Sequence, residues 1–107
     1  MLHTKEVQDK MDDLINLCSN EKLPATIVIC DSDLKESLVS LNGTPEEIAY
    51  MGAEAIFSFA KEYSDKVGVP VNDLVKAVVS EMGKYLHVMI SENDKQLELL
   101  NNPVGEA

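Results

Sequence analysis

The stretch NGTPEEIAYMGAEAIFSFAKEY, residues 42–63, contains both the clearest helix start in the chain and its widest apolar surface. Thr44, Pro45 and Glu47 match a capping box, in which the threonine caps the helix, proline takes the first helical position and glutamate the third. Around the helix that follows, apolar side chains and glycine occupy roughly 220° of the circumference, against the ~100° stripe of an ordinary surface helix. We therefore expect the helix from Pro45 to about Ser64 to be central to the fold.

Part of this helix is also our candidate interaction surface. Its small residues, one turn apart, would let a neighbouring backbone approach closely. Tyr50 and Phe57 lie opposite the main stripe, where a monomer leaves them uncovered. Because large exposed apolar patches usually mark interfaces, the sequence predicts contact here with a second copy of the chain or with another protein. The predicted contact residues are Ala49, Tyr50, Gly52, Ala53, Ile56, Phe57 and Ala60.

Two further helices flank this one. The first is predicted over residues 4–19, and the last begins near Asn72 or Asp73, after the break at residues 68–70, and runs at least to Ile90 with apolar residues within roughly 160°. Beyond Ile90 the pattern is open, since Leu97 and Leu100 keep the register but Asn93 then falls inside the apolar face. A kink or a new helix is an equal alternative there. The first helix's apolar face comprises Val7, Met11, Leu14, Ile15 and Cys18.

ATIVIC, residues 25–30, is a run rich in β-branched residues and predicts one short strand. No other stretch has comparable β character, so this strand either pairs with its copy in a second subunit or has a partner that the pattern does not reveal. Residues 32–41 are ambiguous. The spacing of Leu34, Leu38 and Leu41 favours a helix, and a strand around Val39–Leu41 is the alternative.

These predictions define a mainly α protein with a minor β element. We expect about four helices plus one short strand near residues 25–30, in a single helical domain over residues 1–102 that forms a homodimer. Residues 103–107 are predicted to be a flexible tail.

The charge balance narrows the classes of partner. The chain has 19 acidic residues against nine basic ones, all nine of them lysine, for a net charge of −10. Nucleic acid and anionic membrane surfaces would repel such a chain, so we expect neither as a partner. The sequence shows no apolar run of about 18 residues, as a membrane span needs, and its polar N-terminal sequence lacks the apolar region of a secretory signal. The cytoplasm is the expected compartment.

The chain's cysteines and histidines show no pattern typical of a cofactor or metal site. Cys18 and Cys30 are twelve residues apart without a CxxC motif, and we expect two reduced, largely buried thiols, with a disulfide as the alternative. His87 is expected on the solvated side of the last helix. We expect no cofactor and no bound metal.

The segment IVICDSD, residues 27–33, resembles the nucleophile motif of the haloacid-dehalogenase-type phosphatases. The resemblance implies Asp31 as nucleophile and Asp33 as acid or base, near magnesium. That family needs a multi-stranded parallel sheet and further motifs downstream, including a lysine and a distant acidic pair. Here we expect the aspartates instead to cap a following helix.

The sequence therefore favours a non-catalytic, small acidic interaction protein, such as a regulator, adaptor or inhibitor of bacterial or phage origin. One alternative is an acidic DNA mimic that inhibits a nucleic-acid-binding protein, and another is a magnesium-dependent enzyme using Asp31 and Asp33. Dimeric secretion chaperones share the size and charge but generally have several strands. The order of one strand and two helices resembles the ribbon-helix-helix dimers, but TIVIC lacks the basic or polar residues that their ribbon presents to DNA.

Overall fold

A computed structural model describes residues 5–33 and 35–101. It is mainly helical (73%), with a small two-stranded antiparallel sheet. The chain divides into two compact units, Met1–Ala55 and Ile56–Ala107. The elements in chain order are α1 (Lys5–Asn20), β1 (Ala25–Cys30), β2 (Ser37–Asn42), α2 (Pro45–Val67) and α3 (Val71–Asn101).

The first unit contains a β-hairpin packed against α1. In the antiparallel register Val28 pairs with Val39, and alternate residues of each strand face opposite sides of the sheet. The side with Ile27, Ile29 and Leu38 is half-buried, and α1 packs against both strands. The opposite side of the sheet is exposed.

α1 contributes the best-buried side chains of this unit. Met11 and Ile15, one turn apart, are buried, as the helical spacing predicts. Leu14 was predicted on the same face but is half-exposed. The helix ends with Lys22 at a positive φ of 60°. The amide of Leu23 donates to the carbonyl of Cys18 at 2.8 Å, and the amide of Lys22 donates to that of Ser19 at 3.0 Å, which together form a Schellman motif.

The capping box at the start of α2 is confirmed. The amide of Glu47 donates to the Thr44 hydroxyl at 3.2 Å, and the amide of Thr44 donates to Glu47 Oε1 at 2.8 Å. These bonds satisfy backbone donors that a helix N-terminus otherwise leaves unpaired, a contribution of about 1 kcal/mol. They fix the point at which the chain leaves β2.

The second unit contains the remainder of α2 and all of α3. Gly68, at φ 71°, ends α2, and its amide donates to the Ser64 carbonyl at 2.9 Å. The Ser64 hydroxyl donates to the carbonyl of Val69 at 2.6 Å, which holds the turn. α3 then runs without interruption through Asn93, so no new helix begins near that residue.

Two fold predictions are wrong. Within the described residues there are three helices, not four, because the segment predicted as a helix contains β2 and the last helix is continuous. The prediction of a single short strand is also wrong, since β2 pairs with β1 inside the chain; of the two alternatives for ATIVIC, this is the partner that the pattern does not reveal. Leu38 faces the half-buried side of the sheet and Leu41 the exposed side. Their spacing of three therefore resembled one face of a helix, although the two side chains point to opposite sides of a strand.

Some predictions fall outside what the structure addresses. Residues 103–107, predicted as a flexible tail, lie outside the described residues, and the single domain over residues 1–102 stays a prediction. Among the described helices, none has the length and apolar character needed to cross a membrane.

Candidate functional site

α3 exposes a long apolar stripe. Placed at 100° intervals, eight of its apolar residues fall within about 140° of the helix circumference. Each of the eight is between 39% and 75% exposed, and every residue from Val79 to Ile90 is exposed. We call this set the α3 stripe: Val79, Met82, Tyr85, Leu86, Met89, Ile90, Leu97 and Leu100.

The first half of the stripe forms a shallow apolar groove of about 480 Å³. All of its lining belongs to residues 77–89 of the one helix, and it includes Val78, Met82 and Tyr85. Its volume lies in the range of small-molecule sites, but such sites are clefts that enclose most of their ligand. A surface formed by a single helix instead suits a second helix laid along it.

The acidic residues at the edge of the stripe are paired within the helix. Lys84 Nζ lies 2.9 Å from Glu81 Oε1, and Lys95 Nζ lies 3.6 Å from Glu92 Oε1. The hydrogen bond to Glu81, together with its negative charge, raises the pKa of Lys84 above its ordinary value. Both carboxylates therefore have a cation beside them, and this edge carries little uncompensated charge.

The predicted contact residues in the first unit are mostly exposed. Ala49 and Ala53 are exposed, and Gly52 is half-buried. A Cβ added to Gly52 would meet no heavy atom within 4 Å, so no backbone approaches closely there. Tyr50 is 68% exposed, and its hydroxyl donates to Glu54 Oε2 at 3.1 Å. That hydrogen bond, with the charge of Glu54, raises the pKa of Tyr50.

The predicted contact residues in the second unit are less uniform. Ile56 is half-buried, and Phe57 is half-exposed with Lys61 Nζ 5.7 Å from its ring centroid. Ala60 has no exposed surface, so it offers nothing to a partner in this structure. The sector predicted to be central also includes Phe59 and Tyr63, whose tilted rings have centroids 5.1 Å apart but stay exposed. In α2, all of which is described, Ala60 alone is buried.

Asp31 forms the hairpin turn and does not cap a helix, because a strand follows it. Its Oδ1 accepts hydrogen bonds from the amides of Lys35 at 2.8 Å and Glu36 at 3.3 Å, and its own amide donates to the Glu36 carbonyl at 3.1 Å. Asp33 is exposed. The phosphatase motif would need a parallel sheet behind Asp31, whereas β1 pairs with β2 in the antiparallel direction.

The two cysteines and His87 are the remaining described residues that the sequence singled out. Both cysteines are free. Cys18 is half-buried but Cys30 is exposed, contrary to expectation, because it falls on the outer side of β1. His87 is exposed on α3, as predicted. Within residues 5–33 and 35–101, no three His, Cys, Asp or Glu side chains group together in a way that could hold a metal ion.

No protein-family model, curated protein or solved structure matches this chain. Function therefore has to be inferred from the surface itself. The sequence predicts an apolar face on α3, but the predicted contact residues lie on α2. The length of α3 is the feature that could have indicated an exposed face. Its 31 uninterrupted residues span about 46 Å, and the 23 residues of α2 are too few to cover that length.

Proposed function

We propose that this is a non-catalytic interaction protein, a regulator, adaptor or inhibitor, whose contact surface is the α3 stripe. The observation that carries the proposal is the exposure of all eight stripe residues on one helix face. Half of a large side chain is on the order of 100 Å², so the stripe presents roughly 800 Å². The largest apolar patch on a typical monomer is about 300–600 Å² and is itself often functional.

The energetics of helices support this proposal. A long helix in a protein gains most of its stability from packing its apolar face, because intrinsic helix propensity is weak. Leu74, Val75 and Val78 at the start of α3 are half-buried, and no residue from Val79 to Ile90 is. An outside surface that covers the stripe would supply the packing that these turns lack.

The non-catalytic part of the proposal is supported by the role of Asp31, whose carboxylate is used to form the hairpin turn. Both cysteine thiols are free and one is exposed, which fits a reducing compartment such as the cytoplasm. The alternative of an acidic DNA mimic calls for an ordered row of free carboxylates. Along α1 and α3, lysines instead pair with Asp9, Glu81 and Glu92.

The experiment that tests the proposal is a pair of matched double variants. Met82→Glu with Met89→Glu places two charges seven residues apart on the stripe. Ser80→Glu with His87→Glu places two charges at the same separation on the opposite side of α3. Circular dichroism and urea unfolding would report the fold, and binding of an apolar fluorescent dye by dilute protein would report the exposed surface.

In protein dilute enough to be monomeric, we expect both double variants to keep the helical signal and the unfolding midpoint, and the stripe variant alone to bind less dye. If the stripe variant unfolds while the control stays folded, the stripe belongs to the core and the proposal is wrong. Unchanged dye binding in a folded stripe variant would also overturn it.

A further inference from the structure

We infer that the occupant of the α3 stripe is the same stripe of a second copy of this chain, with the two α3 helices parallel and in register. This inference rests on the function proposed above and names the partner of the same surface. Three features of the described residues support it: the area, the distribution of charge, and the position of Asn93.

The area of the stripe matches what a stable pair requires. Its roughly 800 Å² is what each partner contributes to an interface of standard size. The stripe also extends over most of a helix about 46 Å long. Two α3 helices can therefore cover one another without any further chain.

The charge distribution makes repulsion between copies weaker at α3 than at the first unit. The first unit, Met1–Ala55, has four lysines against eleven acidic residues, whereas residues 71–101 have three against five. Two of those five acids, Glu81 and Glu92, are paired with lysines of the same helix. Like-charged copies that meet through α3 keep their strongly acidic segment out of the contact.

The position of Asn93 defines the direction of pairing. Because α3 is continuous, this polar residue lies in line with the apolar residues of the stripe. In the seven-residue repeat of paired helices, two sets of positions face the partner. One set is Val79, Leu86, Asn93 and Leu100, and the other is Val75, Met82, Met89 and Gln96.

A parallel, in-register pair matches every layer with itself. Asn93 then meets Asn93 of the other copy and Gln96 meets Gln96, so the buried polar groups find polar partners. An antiparallel pair that aligns Met82 with Leu86 instead places Asn93 against Val75, which leaves the amide without a partner. A single Asn at such a position is a known device for fixing the register of paired helices.

The parallel arrangement also accounts for the breadth of the stripe. Residues at the two edges of the seam contact each other across a parallel pair with a spacing of five along the sequence. Tyr85 of one copy thus meets Ile90 of the other, and both are exposed in the single chain. The contact extends beyond the narrow seam on each side.

The first measurement is solution mass by size-exclusion chromatography with light scattering over a dilution series. We expect twice the chain mass of 11.8 kDa, falling to one chain mass on dilution.

The second measurement uses oxidative crosslinking of full-length protein in which Cys18 and Cys30 are replaced by serine. Leu86→Cys places thiols face to face in the parallel pair, within the Cα separation that a disulfide needs. His87→Cys, the next residue, points away from the partner and is the matched control.

We expect rapid disulfide formation with Leu86→Cys and at least tenfold slower formation with His87→Cys. A dimer in which Leu86→Cys does not crosslink overturns the parallel register. A monomer at every concentration overturns self-association, and in that case the dye-binding comparison of the stripe variants still decides the wider proposal by itself.

A second variant keeps the test independent of the introduced thiols. Asn93→Asp puts two carboxylates side by side in the parallel pair, so we expect dimer affinity at neutral pH to fall by at least tenfold. Lowering the pH to protonate the carboxylates should restore it. Circular dichroism would confirm that the variant is folded, and an affinity unchanged by the substitution contradicts the pairing of Asn93 with itself.

Discussion

Lys22 is the one described residue other than glycine with a positive φ, at 60°. The Schellman motif that ends α1 requires this conformation, in which a Cβ costs about 1–2 kcal/mol. The strain is offset by the hydrogen bonds from Lys22 and Leu23 back to the last turn of the helix. Lysine is therefore unfavourable at this position, because its Cβ disfavours the backbone conformation that the motif requires.

Replacing Lys22 by glycine should therefore stabilise the protein. Glycine removes the strain but adds conformational freedom to the unfolded chain, so the expected net gain in the free energy of unfolding is about 0.5–1 kcal/mol. Urea unfolding followed by circular dichroism measures it. Lys10→Gly, inside α1 on its exposed side, is the control and should destabilise by about 1 kcal/mol. A loss of stability in Lys22→Gly would mean that the lysine side chain makes a contact of its own.

The hydrogen bond from Tyr50 to Glu54 should be measurable by titration. Ionising the phenol removes the donor and places a negative charge beside a carboxylate, so the pKa of Tyr50 lies above its ordinary value of 10.0. The bond therefore favours the fold below pH 10.0, and this contribution is lost as the pH rises through the higher, folded pKa.

Glu54→Gln keeps an acceptor but removes the charge, so we expect the pKa of Tyr50 to fall towards 10.0. Phenolate absorbance during alkaline titration, in a background where Tyr63 and Tyr85 are phenylalanine, isolates the group. Glu62→Gln, also exposed on α2, is the control that should leave the Tyr50 titration unchanged. An equal shift in both variants would indicate a general charge effect.

At the scale of elements, end signals in the sequence were more reliable than periodicity. The capping box at Thr44 predicted the start of α2, and the break at Gly68 predicted the separation of α2 from α3, because both depend on local backbone chemistry. In β2, the half-buried side includes Ser40 and Asn42, and the Asn42 side chain donates to the Leu23 carbonyl at 3.2 Å. Polar residues on the packed side of a strand hide the alternation of apolar and polar residues that identifies a strand. The chance spacing of the leucines therefore favoured the prediction of a helix.

Gly52, inside α2, and Gly68, just beyond its end, provide a matched test of backbone conformation against packing. Gly52 lies inside the helix with open space around an added Cβ, so Gly52→Ala should raise the free energy of unfolding by about 0.5–1 kcal/mol. Gly68 has φ 71°, so Gly68→Ala should lower it by about 1–2 kcal/mol. Urea unfolding measures both. If Gly52→Ala is destabilising, a neighbouring backbone does pack closely at this position, as the sequence predicts.

The candidate site shows a different limit of sequence reasoning. The apolar face of α3 could be read directly from its spacing, but whether an apolar face is covered depends on elements far away in the chain. A face that packs in the core and a face that binds a partner have the same spacing of apolar residues in the sequence. The burial of Ala60 and the exposure of Met89 were therefore both beyond the reach of periodicity.

At the scale of the whole molecule, an exposed apolar stripe coexists with a net charge of −10. Net charge far from zero keeps chains soluble by mutual repulsion, and so limits nonspecific association through such a stripe. The same repulsion opposes the specific pairing of two copies. The balance between the two effects must depend on screening by salt.

The affinity of the α3 pair should therefore rise with salt. Between about 0.1 M and about 1 M NaCl the screening length falls from about 10 Å to about 3 Å, which weakens the repulsion between two acidic copies but leaves apolar contact intact. We expect the dimer dissociation constant to fall severalfold over this range, measured by light scattering on dilution. Asp12→Asn with Asp13→Asn, on the exposed side of α1, should bind more tightly at low salt and respond less to added salt. A pair that weakens with salt would instead be held by complementary charges, and the apolar stripe would then not be its contact surface.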